Sequence, residues 1–400
     1  MVIPEVSKVD KLLNKLIQFL KILLSVIVIG VLSYGAFYFY KKTSSKIILL
    51  QSNKTKLEKT LKNISSEITD LKNQDQYKIN KDFEKKIKSI ETTYTKAVSS
   101  YEKLLDLKNV TKNTEKFDSA FADILMFLSK RNYASAEADL LSFEKNIAVE
   151  KQKILASFQI PANVPEINSA PGSGYQQQVV KSDVGDFLVD IVAADLNSTR
   201  VIVDSASDED CKNDCSVLSL GDYVSRSGAF AGINGSYFCP ADYPSCSDKK
   251  NSFDTLLMNK NKKYINSDNN VYSTVPAVIF SGNSARFVGQ SLEWGRDTSV
   301  DAVLAMQPLL VLNGNIIFTG DGEPKRGSKG NRSFVGASGS TVYIGVVFNA
   351  TVAEAAHVIH AMGIQNALNL DDGGSTALWS AGYKAGPGRN LPNALLFVNK

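Results

Sequence analysis

The sequence predicts an α+β protein: a mixed β-rich C-terminal domain with a few helices, preceded by one transmembrane helix and a helical coiled-coil stalk. Three patterns predict it. Residues 22–40 carry no charge, residues 57–104 repeat apolar side chains at spacings of four and three, and beyond residue 178 short β-rich runs alternate with turn-forming residues. A chain of 400 residues exceeds one average domain, and its 44% hydrophobic content is ordinary for a folded protein.

A tail of residues 1–21 carries Lys8, Lys11, Lys15 and Lys21. The run Ile22 to Tyr40 follows, and at ~1.5 Å per residue it spans ~28 Å, close to a bilayer's hydrocarbon core. Tyr34, Tyr38 and Tyr40 gather at its far end as interfacial aromatics do, and Lys41 and Lys42 close it. The run exceeds a signal-peptide core and no small-x-small cleavage site follows, so a single-pass signal-anchor is expected.

Residues 41–158 read as the stalk. Leu57, Leu61, Ile64, Ile68 and Leu71 form one helical stripe; Phe83, Ile87, Ile90, Tyr94, Ala97, Tyr101 and Leu104 form another, out of register with the first. A turn or stutter is therefore expected within 72–80. An intramolecular hairpin and a dimeric stalk explain the stripes equally well. Further helix is expected around Phe117–Leu128 and Tyr133–Leu155, and 159–178, with Pro161, Pro165, Pro171, Gly172 and Gly174, reads as a linker.

The remainder, 179–400, reads as one α+β domain. Strand runs are Phe187–Ala193, Arg200–Val203, Val275–Phe280, Val303–Leu312 and Thr341–Phe348. Thr351 with Glu354 forms a capping-box signature, Gly363 ends the helix, and Ile364–Leu370 reads as the next strand.

Charge divides unevenly. Residues 1–158 hold 27 Lys+Arg against 18 Asp+Glu, whereas the rest holds 18 against 23. No stretch combines basic and aromatic residues as a nucleic-acid reader does, and that class is set aside. All four cysteines, Cys211, Cys215, Cys239 and Cys246, fall in one short region, which suits disulfides in an oxidising space; three pairings are open. Their spacings do not match paired zinc knuckles. The orientation expected is N-terminus inside, C-terminal domain extracytoplasmic.

Chemistry concentrates in Asn369-Leu370-Asp371-Asp372-Gly373-Gly374-Ser375, where a strand must end in a sharp glycine turn carrying two carboxylates. Three other segments are as distinctive: Asn234-Gly235-Ser236-Tyr237-Phe238, Arg332-Ser333 in a glycine-flanked strand start, and Arg389 with Asn393 before the last strand, Leu395–Val398. In this order they resemble the phosphodiester glycosidase family, the group that includes the lysosomal "uncovering enzyme", which removes N-acetylglucosamine from a sugar-1-phosphodiester. The resemblance covers roughly 179–400. The family signature Asn-Leu-Asp-Gly-Gly-Gly-Ser differs here at Asp372, which stands in place of a glycine and adds a charge and a Cβ to the turn. Glu354 falls where the family carries a helix glutamate.

The resemblance implies a hydrolase of glycosyl-phosphodiesters, and the anchor, by confining it, makes phosphate-linked glycans of the envelope the expected substrates. Cleaving such a bond passes through an oxocarbenium-like transition state, and a phosphate leaves as a stable anion, so a cation matters more than an acid. Asp371 is the expected nucleophile or base; Arg332 and Arg389 are expected to neutralise phosphate; Glu354 is a further catalytic candidate beside its capping role. Asn234, Gly235, Phe238, Asn369, Gly373, Gly374, Ser375 and Asn393 are the expected substrate-binding residues. Strand alternation puts Asp371 and Asp372 on opposite faces, with Asp372 at the surface or behind the site. No cofactor or metal is expected; His357 and His360 share a helix face without a third ligand. The partners expected are the glycan, the membrane and, through the stalk, a second copy. A surface glycan-binding or adhesin protein that has lost catalysis is the alternative that Asp372 favours.

Overall fold

The structure is a computed structural model and describes residues 6–268, 273–295 and 297–400; the first five residues of the expected tail lie outside them. By contacts the chain forms two compact units, residues 1–89 and 90–400.

In the first unit, helix α1 runs unbroken from Val6 to Asn73. It holds a stretch long and apolar enough to cross a membrane, with mean hydropathy 2.4 and none of it buried. Leu57, Leu61, Ile64, Ile68 and Leu71 are all exposed along it. The interruption expected within 72–80 falls at Gln74, after which α2 runs Asp75–Lys108.

The second unit begins within α2. Its later turns pack with α3 (Glu115–Ser129) and α4 (Tyr133–Ala156) around Leu104, Leu107, Phe121, Ile124, Leu140 and Phe143. Here the second apolar stripe is resolved: Ala97 and Leu104 serve an intramolecular core, while Phe83 and Ile87 stay exposed. Each fully buried Leu, Ile or Phe is worth about 1.5–3 kcal/mol, enough to hold three short helices together. The proline-rich stretch that follows is pinned rather than loose. The Val179 amide donates to the Pro165 carbonyl and the Ala170 amide to that of Met362, and strand structure starts at Gly174.

Among the described residues three sheets build the β-rich part, and every pairing between their strands is antiparallel. The largest has seven strands in the order Gly174–Ser182, Gly185–Asp195, Thr341–Ala350, Gly330–Ser338, Asn366–Asn369, Leu309–Leu312 and Asn315–Ile316. Its central strands are apolar on both faces: Val189, Ile191 and Ala193 meet one core, Val192 and Ala194 another. The second sheet orders Tyr383–Ala385, Leu378–Ser380, Ala231–Asn234, Asn393–Asn399 and Thr199–Ser205; the third is built around Ala302–Ala305 and Ala277–Ser281. All three contribute to one central core, through Ile344, Ile233 and Val278 among others.

Helix α5 (Leu220–Ser227) covers the outer face of the second sheet, α6 (Pro324–Gly327) is a single turn, and α7 (Val352–Ala361) lies on the outer face of the first. The Thr351–Glu354 capping box is present in both directions, and Gly363 (φ 77°) ends the helix as expected. One expected strand is two: Val303–Leu312 divides into Ala302–Ala305 and Leu309–Leu312, which join different sheets. Pro308, which has no N–H to give to a ladder, sits at the break.

Candidate active site

Two strands from different sheets end side by side, and their ends make the site. Asn234 closes its strand and turns its whole side chain inward. Its Nδ2 donates to the Asp371 carbonyl (2.6 Å), and its Oδ1 accepts from the Ser333 hydroxyl (2.9 Å) and the Ala377 amide (3.1 Å). The Gly235 carbonyl accepts the Asp371 N–H at 3.0 Å. Asp371 is therefore clamped through both backbone groups before its side chain is considered. Gly235 is required here because a Cβ would run into Asn393, whose Oδ1 accepts the Ser236 amide at 2.9 Å. Gly235→Ala should cost about 1–3 kcal/mol. Both tryptophans, Trp294 and Trp379, lie in this part of the chain, so urea unfolding followed by their fluorescence measures it.

Beyond Asn369 the strand geometry lapses, and Gly373 adopts φ 63°. That changes where the two acids go. Asp371 and Asp372 both line one cavity of about 710 Å³. The expectation that alternation separates them fails because alternation belongs to extended strand, and this turn has left it. The Asp372 side chain is buried, not at the surface. It accepts from the Ser333 amide (3.0 Å), Arg332 Nη1 (3.1 Å), Asn369 Nδ2 (3.0 Å) and the Tyr237 hydroxyl (3.4 Å). Burial pushes its carboxyl upward, and Arg332, Asn369 and the Ser333 N–H oppose the rise.

Asp371 has weaker support. Its Oδ1 accepts the Asp372 amide at 2.9 Å, and no cation forms an ion pair with it among the described residues. Burial is the main cause that pushes its carboxyl up to about 7; the Asp372 charge adds to this, while the Ser375 side chain and Arg389 work against it. A carboxyl titrating near neutrality is suited to giving or taking a proton.

The two arginines have different lives. In Arg332 every guanidinium nitrogen is engaged: Nε with the Ala350 carbonyl (2.9 Å), Nη1 with Asp372, and Nη2 with the Lys325 and Ser328 carbonyls. Arg389 is held by its backbone, its N–H donating to the Gly374 carbonyl at 2.9 Å, and its guanidinium lies 5.3 Å from the Tyr243 ring centre. Its Nη2 is buried without a hydrogen-bond partner, and the residue lines the cavity.

Of the other expected residues, Phe238, Gly373 and Gly374 line the cavity. Asn369 is turned into the protein, its Nδ2 bonding the Tyr237 hydroxyl at 3.0 Å as well as Asp372, and Asn234, Ser375 and Asn393 are likewise fully enclosed. Glu354 does not reach the cavity. Its carboxylate accepts the Thr351 N–H at 2.7 Å and pairs with Lys329 at 3.3 Å, because a capping residue must fold back on its own helix end. His357 is bonded to Asp183 at 2.8 Å, and among the described residues no cluster of His, Cys, Asp or Glu could hold a metal ion.

Several lining residues carried no signal in the motifs. Tyr243 lies between Cys239 and Cys246, which form one disulfide while Cys211 and Cys215 form the other. Lys325, Arg326 and Lys329 supply cations from around α6, and Asp106, Asn109 and Lys151 come from the helices before the β-rich part. Burial and the nearby Asp106 carboxylate push the Tyr243 phenol upward.

The buried Asp371 carboxyl and Arg389, whose Nη2 has no hydrogen-bond partner, thus line one aromatic-walled cavity. Residues 227–398 match the family model described as phosphodiester glycosidase, a stretch that contains Asn234, Arg332, Asp371 and Arg389. The chain thus carries a domain of the phosphodiester glycosidase family. No curated protein matches it. Among solved structures it is similar to a hypothetical protein from Synechocystis, with TM-score 0.41 and 12% identity over 56% of this chain and 62% of that one. This chain thus spans less than two thirds of the Synechocystis protein's length. A second is the catalytic domain of zebrafish N-acetylglucosamine-1-phosphodiester alpha-N-acetylglucosaminidase, auto-inhibited by its pro-peptide, with TM-score 0.43 and 13% identity over 59% and 87% of the two chains.

Proposed function

We propose that this protein is a membrane-anchored, extracytoplasmic hydrolase that cleaves glycosyl-phosphodiesters in envelope glycans. The observation that carries the reading is the pairing, in one cavity, of Asp371, raised to about 7, with the unpartnered Nη2 of Arg389. In this reading Asp371, ionised, attacks the anomeric carbon or takes a proton from the attacking water. Arg389 neutralises the phosphate as the glycosidic C–O bond breaks. The electron pair of that bond leaves on the phosphate, and water supplies the new hydroxyl of the freed sugar. The Gly373–Gly374 backbone lets the phosphate approach the main chain, and Phe238 offers a face to the sugar ring.

The apolar stretch of α1 supports an anchor, and the two disulfides suit an oxidising exterior. The exposed stripe from Leu57 to Leu71 is the surface through which two stalks would pair as a coiled coil. The domain scheme proposed is tail 1–21, anchor 22–40, stalk 41–158, connecting segment 159–178 and catalytic domain 179–400, with the stalk's residues from 90 onward in the same compact unit as that domain.

Arg389 supplies the discriminating test. If it neutralises the departing phosphate, Arg389→Ala should lose about 10²–10³ in kcat/KM on a simple alkyl phosphodiester. The loss should shrink steadily as the leaving phosphate is made more acidic. It is measured as free sugar released by the full-length protein in nanodiscs. An equal loss across the series removes that role, and absence of turnover in wild type favours the glycan-binding alternative.

A further inference from the structure

The cavity is not closed by the glycosidase domain alone. Asn109 and Val110, just past the end of α2, and Lys151, Ile154, Leu155 and Phe158, on and just beyond α4, form one of its walls. All six precede residue 227, where the family match begins. The wall is fixed in place from two sides. The Ser245 amide donates to Glu102 at 2.9 Å and the Tyr243 hydroxyl bonds Asp106, both on α2, while Asn349 Nδ2 donates to the Leu155 carbonyl at 3.3 Å. These contacts lie within one compact unit of the chain.

Two features of the wall bear on the site. The first is Asn109. The point where a Cβ would stand on Gly374 lies 2.6 Å from Asn109 Nδ2 and 3.0 Å from Arg389 Nη2. Two donors from distant parts of the chain thus pack against one bare glycine, at the turn that carries Asp371. A phosphate in the cavity beside Gly374 is within reach of both side chains as donors. The second is apolar surface turned toward a polar site. Val110 is 52% exposed and Phe158 38%, with Leu155 and Ile154 half-buried beside them, Ile154 also resting on the three-helix core. A wall meeting only sugar hydroxyls would gain nothing from four apolar side chains, whereas an apolar group attached to the phosphate would cover them.

We infer that the helical segment is a specificity element of the same site: Asn109 shares the phosphate with Arg389, and Val110, Ile154, Leu155 and Phe158 receive an apolar alcohol on the leaving-group side of the phosphodiester. The inference rests on the glycosyl-phosphodiester reading, and its test is made by binding so that the two fail separately. The probes are non-hydrolysable C-glycosyl phosphonate monoesters carrying either a methyl or an octyl alcohol. They are titrated calorimetrically into the full-length protein in nanodiscs.

Wild type should bind the octyl ester at least about tenfold more tightly than the methyl ester, since several methylenes leave water. Phe158→Ala combined with Ile154→Ala should collapse that ratio toward one while leaving the methyl ester's Kd within about threefold. Asn109→Ala should weaken both esters by about tenfold and leave the ratio intact. Empty nanodiscs set the baseline for partitioning into lipid. Tight binding with the octyl preference but no turnover of the parent diesters supports the wall and overturns the hydrolase. Equal affinity for the two esters, a ratio that survives the double variant, or no binding of either ester overturns the inference.

Discussion

Asp371→Asn should abolish release of free sugar from a sugar-1-phosphodiester, a loss of about 10²–10⁴-fold in kcat, and at the same time make the protein harder to unfold at pH 8. The two effects have one origin. Asp371 is buried and has no cationic partner among the described residues, so its carboxyl sits at about 7 in the folded protein. In the unfolded chain it returns to the ordinary carboxylate value near ~4. Between these values the folded state keeps a proton that the unfolded chain releases, so stability falls as pH rises from about 4 to about 7. Below pH 4 both states are protonated and the loss vanishes. Asparagine carries no charge, so the variant escapes the loss. Its advantage in urea midpoint should be absent near pH 4, grow through pH 5–7 and level off above. The gap between the folded and unfolded values sets an upper bound of ~4 kcal/mol, reduced by whatever the buried Nδ2 fails to bond. In wild type, kcat/KM should climb through about pH 7 as Asp371 ionises. A variant whose activity persists, or whose stability gap is flat from pH 4 to 8, would show that Asp371 is only a turn residue.

How much of this was legible in the sequence differs between fold and site, for physical reasons. The capping box at Thr351, the break near Gln74 and most strands were legible because local rules govern them: a cap needs its N3 partner, and a strand needs β-branched residues. The split of Val303–Leu312 was signalled by Pro308 and read through. The motifs located the turn that carries Asp371, yet they blurred two kinds of residue. Asn234, Asn393 and Arg332 are as distinctive as Asp371, but their work is to hold the turn, and a sequence does not say whether a polar side chain faces a ligand or the backbone of a neighbouring strand. The approach of Asn109 to the turn was beyond reach. It comes from a helical segment whose periodicity reports only its own core, and its meeting with Gly374 spans 265 positions of chain.

Asp372 and Arg332 bring that distinction to a measurable point. They form a buried pair, 3.1 Å apart with side chains 8% and 7% exposed, and each fills its remaining hydrogen-bonding positions with backbone or neighbouring side chains. The added carboxylate of this chain's turn is therefore the counter-ion that lets Arg332 tie strand Gly330–Ser338, the α6 turn and the Ala350 carbonyl to the floor of the cavity. Arg332→Ala should strand Asp372 as an uncompensated buried charge and cost about 3–5 kcal/mol, read from the urea midpoint of tryptophan fluorescence at pH 7. The destabilisation should ease as pH falls, because Asp372 can then accept a proton. Adding Asp372→Asn to Arg332→Ala should recover much of the loss, since no charge then remains without its partner. Were Arg332 instead held for the substrate phosphate, the single variant would be stable and merely inactive, and the second substitution would restore nothing. Asp372→Gly, which restores the residue usual in the family, separates the same alternatives from the other side. It leaves Arg332 buried without a counter-ion and should destabilise the fold, whereas a carboxylate that only blocks catalysis would be removed with a gain in turnover and no loss of stability.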